Sequence, residues 1–252
     1  MENIIKYYEH QCEDNRLMAD RAHSLEYLTT IRYLDRICSK QVKILDACAG
    51  TGAYCFYLAK KGNAVIAGDI VTNNINIIKE KQKINPILKD IYTGDICNLS
   101  KFENESFDVV LCLGAFYHLH DENERRKAML ECKRVTKNGG NIVVAYLNRF
   151  ASFVNNFSNE PDNIHEILNQ FYTGNKNVFY RSTPEEIENL MVECKIVKKH
   201  NIATDGLSFM YSKQLESISE IEFEEYLNYH YSTCENENIL GYSLHGLFIG
   251  EK

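Results

Sequence analysis

Three acids and one run of small residues are spaced as a nucleotide-like ligand would need them. Val42, Lys43, Ile44 and Leu45 lead into Asp46. Ala47, Cys48, Ala49, Gly50, Thr51 and Gly52 then make a turn of small residues before a helix opens at Ala53. A buried strand, a small-residue turn and a helix start together bring backbone N–H groups up to a ligand. Asp69 ends the second apolar run, about 20 residues beyond the turn, where a carboxylate can accept two ribose hydroxyls and would repel a phosphate-bearing ribose. A third acid, Asp95, follows the third run, and His118 follows the fourth. An imidazole with an ordinary pKa of about 6.5 suits proton removal from a nucleophile at neutral pH, so His118 is the candidate base. Structural alternatives stand beside each role: Asp46 orienting the turn, Asp95 capping the next turn, and His118 packing as a framework residue.

The elements that must hold these groups alternate. Strands are predicted at 42–46, 64–68, 87–93, 107–113 and 141–147, with helices at 53–61, 73–83 and 122–134 between them. Phe107 to Leu113 is continuously apolar, as a strand buried on both faces requires. Asn138, Gly139 and Gly140 read as a turn before strand five. Alternation of this kind predicts a doubly wound parallel sheet with ligands at the carboxyl ends of the strands. Ahead of it, Ser24 is a candidate cap for a helix carrying Leu25, Leu28, Ile31, Leu34 and Ile37 and ending near Ser39.

Composition narrows the class. The chain has 252 residues, 44% hydrophobic and 25% charged, with a net charge of −7 and no basic block, which argues against a nucleic-acid partner. Nine cysteines form no C-x-x-C pair, so reduced thiols are expected and a zinc ribbon is not. No leader pattern and no apolar run of about 20 residues is seen, so a cytoplasmic protein without a membrane span is expected. His118 and His120 lack further ligands, so no metal is expected. His245 reads as a core histidine or a pocket residue.

The segments KILDACAGTG, VIAGD, TGDI, SFDVVLCLGAFYHL and KNGGNIVVAY, in this order and spacing, resemble class I S-adenosylmethionine (SAM)-dependent methyltransferases of the small-molecule, ubiquinone/menaquinone-like type. The resemblance implies a Rossmann-like α/β fold: a doubly wound, seven-stranded, mostly parallel sheet with an antiparallel C-terminal strand and a lid after strand five. It implies one domain over 1–252, with covering helices at 1–41, a cofactor half at 42–147, a lid at 148–182 and the rest of the sheet at 183–252.

By the same resemblance SAM is the cofactor and S-adenosylhomocysteine the product. Asp46, Ala47, Gly50 and Gly52 are the candidate contacts of the first turn, the last three meeting its methionine part through backbone. Asp69 would hold the ribose and Ile70 pack on adenine; Asp95 would hold the adenine amino group beside Ile96. Leu113 and Gly114 would line the methyl region. Arg16, whose planar fork suits a carboxylate, is the candidate partner for the methionine carboxylate. Cys48 departs from the family, which commonly has glycine there; its thiol either crowds the sulfonium or turns into the sheet.

Residues 148–181 hold many rings, among them Phe150, Phe153, Phe171 and Tyr172. They read either as a lid over the substrate or as a surface subdomain packed on itself. Tyr117, Phe150 and Tyr172 are the candidate substrate contacts, and Tyr7 and Tyr8 candidates for closing over the cofactor. Thr183-Pro184-Glu185-Glu186 is a helix start. One helix is then expected over 213–231, and a last strand over 242–249.

The expected activity is methyl transfer by in-line displacement to O, N or S of a small molecule, by a monomer or homodimer. Two other classes remain: a methyltransferase for RNA or protein, and a non-catalytic SAM-binding partner protein. A nicotinamide dehydrogenase is excluded because Cys48 to Ala53 reads CAGTGA, without G-x-G-x-x-G.

Overall fold

The computed structural model describes residues 2–9, 16–38 and 41–252. In chain order the main elements are α1 (Glu2–Glu9), α2 (Arg21–Ile37), β1 (Lys43–Asp46), α3 (Ala53–Lys60), β2 (Ala64–Asp69), α4 (Thr72–Ile84), β3 (Asp90–Thr93), β4 (Phe107–Cys112), α5 (Glu122–Val135) and β5 (Thr136–Asn148). There follow α6 (Arg149–Asn159), α7 (Ile164–Thr173), β6 (Asn175–Lys176), β7 (Phe179–Ser182), α8 (Pro184–Glu193), β8 (Val197–Ala203), α9 (Ser212–Ser217), α10 (Glu220–Thr233), α11 (Glu237–Leu240) and β9 (His245–Glu251).

Strands β3, β2, β1, β4 and β5 lie side by side and parallel. β9 runs antiparallel against β5, and β8 antiparallel against β9, so the expected antiparallel C-terminal strand lies between β5 and β8. The order reverses between β1 and β4, and the crevice at their carboxyl ends is where such sheets take ligands.

Leu45, Val110, Cys112, Ile142 and Val144 pack against α5 and α8 on one face. Ile44, Val65, Ala67, Leu111 and Val143 pack against α2, α3 and α4 on the other. These side chains are close to fully buried, each worth roughly 1.5–3 kcal/mol for the larger aliphatics. That double burial is why the strands read as apolar runs rather than alternating ones.

A short extra pairing matters for the site. β5 pairs with β4 only as far as Val144, yet Leu147 pairs with both His245 of β9 and Arg181 of β7. A strand has two edges, so β7 occupies the edge that β4 leaves vacant. The β6–β7 hairpin thereby stands above the carboxyl end of β4.

Several expectations are corrected. Asp20, not Ser24, caps α2, its Oδ1 accepting from His23 N at 2.8 Å. The expected end near Ser39 lies outside the described residues, as does Cys12. β5 begins at Thr136, and Asn138–Gly140 are an irregular stretch within it: Gly139 takes φ +75° while its N–H reaches Lys252 O. The helix expected over 213–231 is two helices. Ile218 is extended, and Ser219 with Glu222 forms a capping box that restarts the chain as α10.

Candidate active site

The turn after β1 is pinned from both sides. Ala47 N donates to Leu111 O of β4 at 3.0 Å, and Ala49 N donates to Gly68 O of β2 at 2.8 Å. Gly50 takes φ +52°, in the left-handed region, with open space where a Cβ would stand. Its N–H donates to Asp69 Oδ2 at 2.8 Å, while Asp69 Oδ1 accepts from Val71 N at 2.8 Å and from Asn74 Nδ2 at 3.3 Å. Burial pushes the Asp69 carboxyl up, against the pull of these bonds. Three donors on about four lone-pair sites leave room for one further hydroxyl.

Under the turn Asp46 is 1% exposed, and neither of its carboxylate oxygens has a hydrogen-bond partner among the described residues. Burial, and then the charge of Asp69, push it up to about 7, against the weaker pull of the nearby Cys48 backbone N–H. Cys48, where the family commonly has glycine, is half-buried and packs against the core cluster that holds Cys112.

A cavity of about 260 Å³ opens over these strand ends. Ala47, Cys48 and Gly50 line it after β1, Asp69 and Ile70 after β2, Asp95 and Ile96 after β3, and Leu113, Gly114, Tyr117 and His118 after β4. Tyr8, Arg16 and Glu26 close it from the N-terminal side. Asp95 also caps its own turn, Oδ1 accepting from Cys97 N at 2.9 Å. Arg125, buried beneath, donates to Leu119 O and His120 O and lies over the Tyr180 ring, fixing the loop that carries His118.

The roof is built from side chains. His118 Nδ1 is 2.8 Å from Val178 O, a pure acceptor, so Nδ1 carries the proton and Nε2 is an acceptor. The Tyr8 hydroxyl donates to that Nε2 at 2.9 Å. Burial lowers His118 to about 4, against the pull of the Val178 carbonyl, so the ring is neutral at pH 7. Phe179 packs on His118, Tyr117 and Tyr7.

On the opposite wall Arg16 holds Glu26 with two bonds, of 2.7 and 3.1 Å. His245 Nδ1 lies 3.6 Å from Glu26 and 2.6 Å from Asp205, and Ser243 donates to Asp205. Burial opposes charge on Glu26 and Asp205, but the cations beside them outweigh it and hold both carboxyls low. For His245 burial is likewise outweighed, by the two carboxylates, and its pKa rises.

Of the residues singled out from sequence, Arg16, Ala47, Gly50, Asp69, Ile70, Asp95, Ile96, Leu113, Gly114, Tyr117 and His118 meet at the cavity. Four do not. Asp46 is sealed beneath the turn. Gly52, at φ +101°, starts α3, and a side chain there would strike Phe56 and Ile78. Phe150 lies in a separate hollow with Phe153 and Phe171, and Tyr172 is 75% exposed. The rings of 148–173 pack on one another instead.

Tyr54 and Glu26 line the cavity without having been singled out. Glu26 had a signal: with Thr30 and Tyr33 it makes an i, i+4, i+7 stripe on the inner face of α2. Among the described residues no cluster of three His, Cys, Asp or Glu could hold a metal, and no helix is long and apolar enough to cross a membrane.

Residues 45–144 match the family model for a methyltransferase domain. The chain is similar to glycine/sarcosine N-methyltransferase of Aphanothece halophytica, 31% identical over 104 residues, covering 40% of this chain and 39% of that protein. It is also similar to demethylmenaquinone methyltransferase of Renibacterium salmoninarum, 36% identical over 103 residues, 41% of this chain and 40% of that one. The match thus spans about two fifths of each relative's length. A crystal structure of a SAM-dependent methyltransferase from Methanosarcina mazei superposes with a TM-score of 0.62 at 16% identity, covering 87% of this chain and 96% of that one, a likeness of fold. Residues 45–144 thus match a methyltransferase domain, and the sheet around them has the fold of a SAM-dependent methyltransferase.

Proposed function

We propose that the cavity binds SAM and that the protein methylates O, N or S of a small molecule. One observation carries the reading: a left-handed Gly50 and the Asp69 carboxylate, joined by a 2.8 Å bond, stand at the sheet's switch point in a cavity that Asp95 also lines. The residues suit the cofactor. Asp69 would accept a ribose hydroxyl and Asp95 the adenine amino hydrogens, with Ile70 and Ile96 flanking the base. Arg16, oriented by Glu26, would face the methionine carboxylate. The partnerless Asp46 carboxylate beneath the turn favours a cationic ligand above it. The relatives' names, for glycine, sarcosine and a menaquinone precursor, support a small-molecule acceptor.

The bound cofactor supplies an activated methyl group, so the protein's work is alignment and exclusion of water. His118, kept neutral, adds no positive charge beside a sulfonium. Its Nε2 is the acceptor for a proton from the nucleophile when that hydrogen replaces the one Tyr8 donates. The Tyr8–His118 bond holds α1 over the cavity, as Tyr7 does on Phe179. The acceptor is small, with neither nucleic acid nor membrane as partner, in a cytoplasmic monomer or homodimer.

Calorimetry with SAM and S-adenosylhomocysteine, followed by a labelled-methyl screen of a metabolite extract, tests this. Single-site binding and labelled small products are expected. Label appearing only in RNA or protein would overturn the small-molecule assignment.

A further inference from the structure

Three residues form a row across the sheet. Leu147 of β5 is flanked by Arg181 of β7 and His245 of β9. Register partners project to the same face, so the three side chains stand next to one another. Phe179, two residues before Arg181, shares that face, and its ring centroid is 5.1 Å from that of His118. The row therefore lies across the Phe179 ring from His118, which lines the cavity, beyond the end of β4.

Arg181 is anomalous within it. Its Nε and Nη1 are buried and make no hydrogen bond, and its side chain has no partner among the described residues. Neighbouring arginines are engaged: Arg149 bonds Glu186 and Arg181 O, and Arg125 bonds two carbonyls. Arg181 is half-buried, and guanidinium N–H groups buried without a partner destabilise a fold, so an apolar residue of similar volume would be cheaper there. Local rules broken without compensation mark ligand sites.

We infer that Arg181 receives an oxyanion of the methyl acceptor, a carboxylate or a phosphate, so that the substrate is a small anionic molecule whose nucleophilic atom lies near His118. The inference rests on the methyltransferase reading above. A planar fork of N–H donors fits either group with two parallel bonds. Burial alone pushes the Arg181 pKa down, as expected of a cation awaiting a counter-charge.

The test is thermal unfolding of wild type, Arg181→Met and Arg181→Lys, with and without S-adenosylhomocysteine. Sodium phosphate and sodium acetate are compared with sodium chloride at equal ionic strength. At least one oxyanion should raise the wild-type Tm above chloride. The rise should vanish in Arg181→Met and survive in part in Arg181→Lys, and the larger response identifies the group. Without oxyanions Arg181→Met should melt no lower than wild type.

Equal responses to all three salts, a response that persists in Arg181→Met, or a lower Tm for that variant would each overturn the proposal. So would a tenfold loss of SAM affinity in Arg181→Met, which would put the arginine on the cofactor. Absence of S-adenosylhomocysteine binding in wild type would strike the methyltransferase reading instead, while the oxyanion response without nucleoside still decides the role of Arg181.

Discussion

The floor and the roof of the cavity are made of different things. The floor is backbone: a turn locked between β2 and β4, with carboxylates at strand ends anchored by amide N–H groups. The roof is side chain: phenol on imidazole, ring on ring, and carboxylates gripping Arg16 and His245. On the proposed function, a backbone floor that meets the cofactor would serve any acceptor. A roof of side chains can be changed residue by residue, and substrate choice would then reside there. The contrast predicts that damage to the floor abolishes cofactor binding, whereas damage to the roof alters closure and acceptor use.

The largest effect is expected at Asp69. Asp69→Ala removes the proposed ribose acceptor and unties Gly50 and Val71, and should cut SAM affinity at least about tenfold, loss of a single charge-assisted bond accounting for roughly 1.5–3 kcal/mol. Calorimetry reads this, and unchanged affinity would mean that the floor does not hold the ribose.

Tyr8→Phe keeps the ring but loses the bond to His118. Protection of α1 from hydrogen exchange should fall about fivefold, for a bond worth roughly 1 kcal/mol, with SAM affinity less affected. Equal protection would show that the rings alone hold α1.

Acid should do the same more gradually. His118 has a folded pKa of about 4 against about 6.5 when released, so the closed state binds fewer protons between these values. Its contribution is complete above about pH 6.5 and is lost as pH falls toward 4, because a protonated Nε2 cannot accept from Tyr8. Limited proteolysis of α1 across that window should show increasing cleavage as pH drops. His245 has the opposite sign. Its raised pKa contributes stability below about 6.5, lost as pH rises through the folded value.

The smallest effect is at Asp46. Raised to about 7, it makes the fold less stable as pH climbs from about 4 to 7. Asp46→Asn should therefore raise the Tm of ligand-free protein by about 2–4 °C at pH 8 for each kcal/mol recovered, and by less at pH 5. A lower Tm would show that the carboxylate stabilises the turn.

The floor could be read from sequence because its signals are local. KILDACAGTG and the acids ending VIAGD and TGDI each specify a strand end within a few residues, and alternation of strand and helix puts them at one edge. The roof could not, because the topology assembles it from distant positions. Glu26, Asp205, Ser243 and His245 meet only because β9 threads between β5 and β8. Arg181 joins Leu147 only because β4 stops short.

The aromatic run misled for a related reason. Composition shows that Phe150 and Tyr172 belong to a ring-rich stretch, but not which helix faces turn inward. The rings of α6 and α7 pack on one another, while Val178 and Phe179 of the same stretch reach His118. The break at Ile218 was legible, since Ser219 and Glu222 spell a capping box, but the apolar spacing across it favoured one long helix.

The central claim is that the turn, Asp69 and Asp95 together form a seat for SAM. Titration calorimetry of the purified chain with SAM tests it most directly. The account predicts one site with Kd below about 100 µM, competed by S-adenosylhomocysteine, and a Kd at least about tenfold weaker for Asp69→Ala. No binding by wild type at about 1 mM of either nucleoside would contradict it.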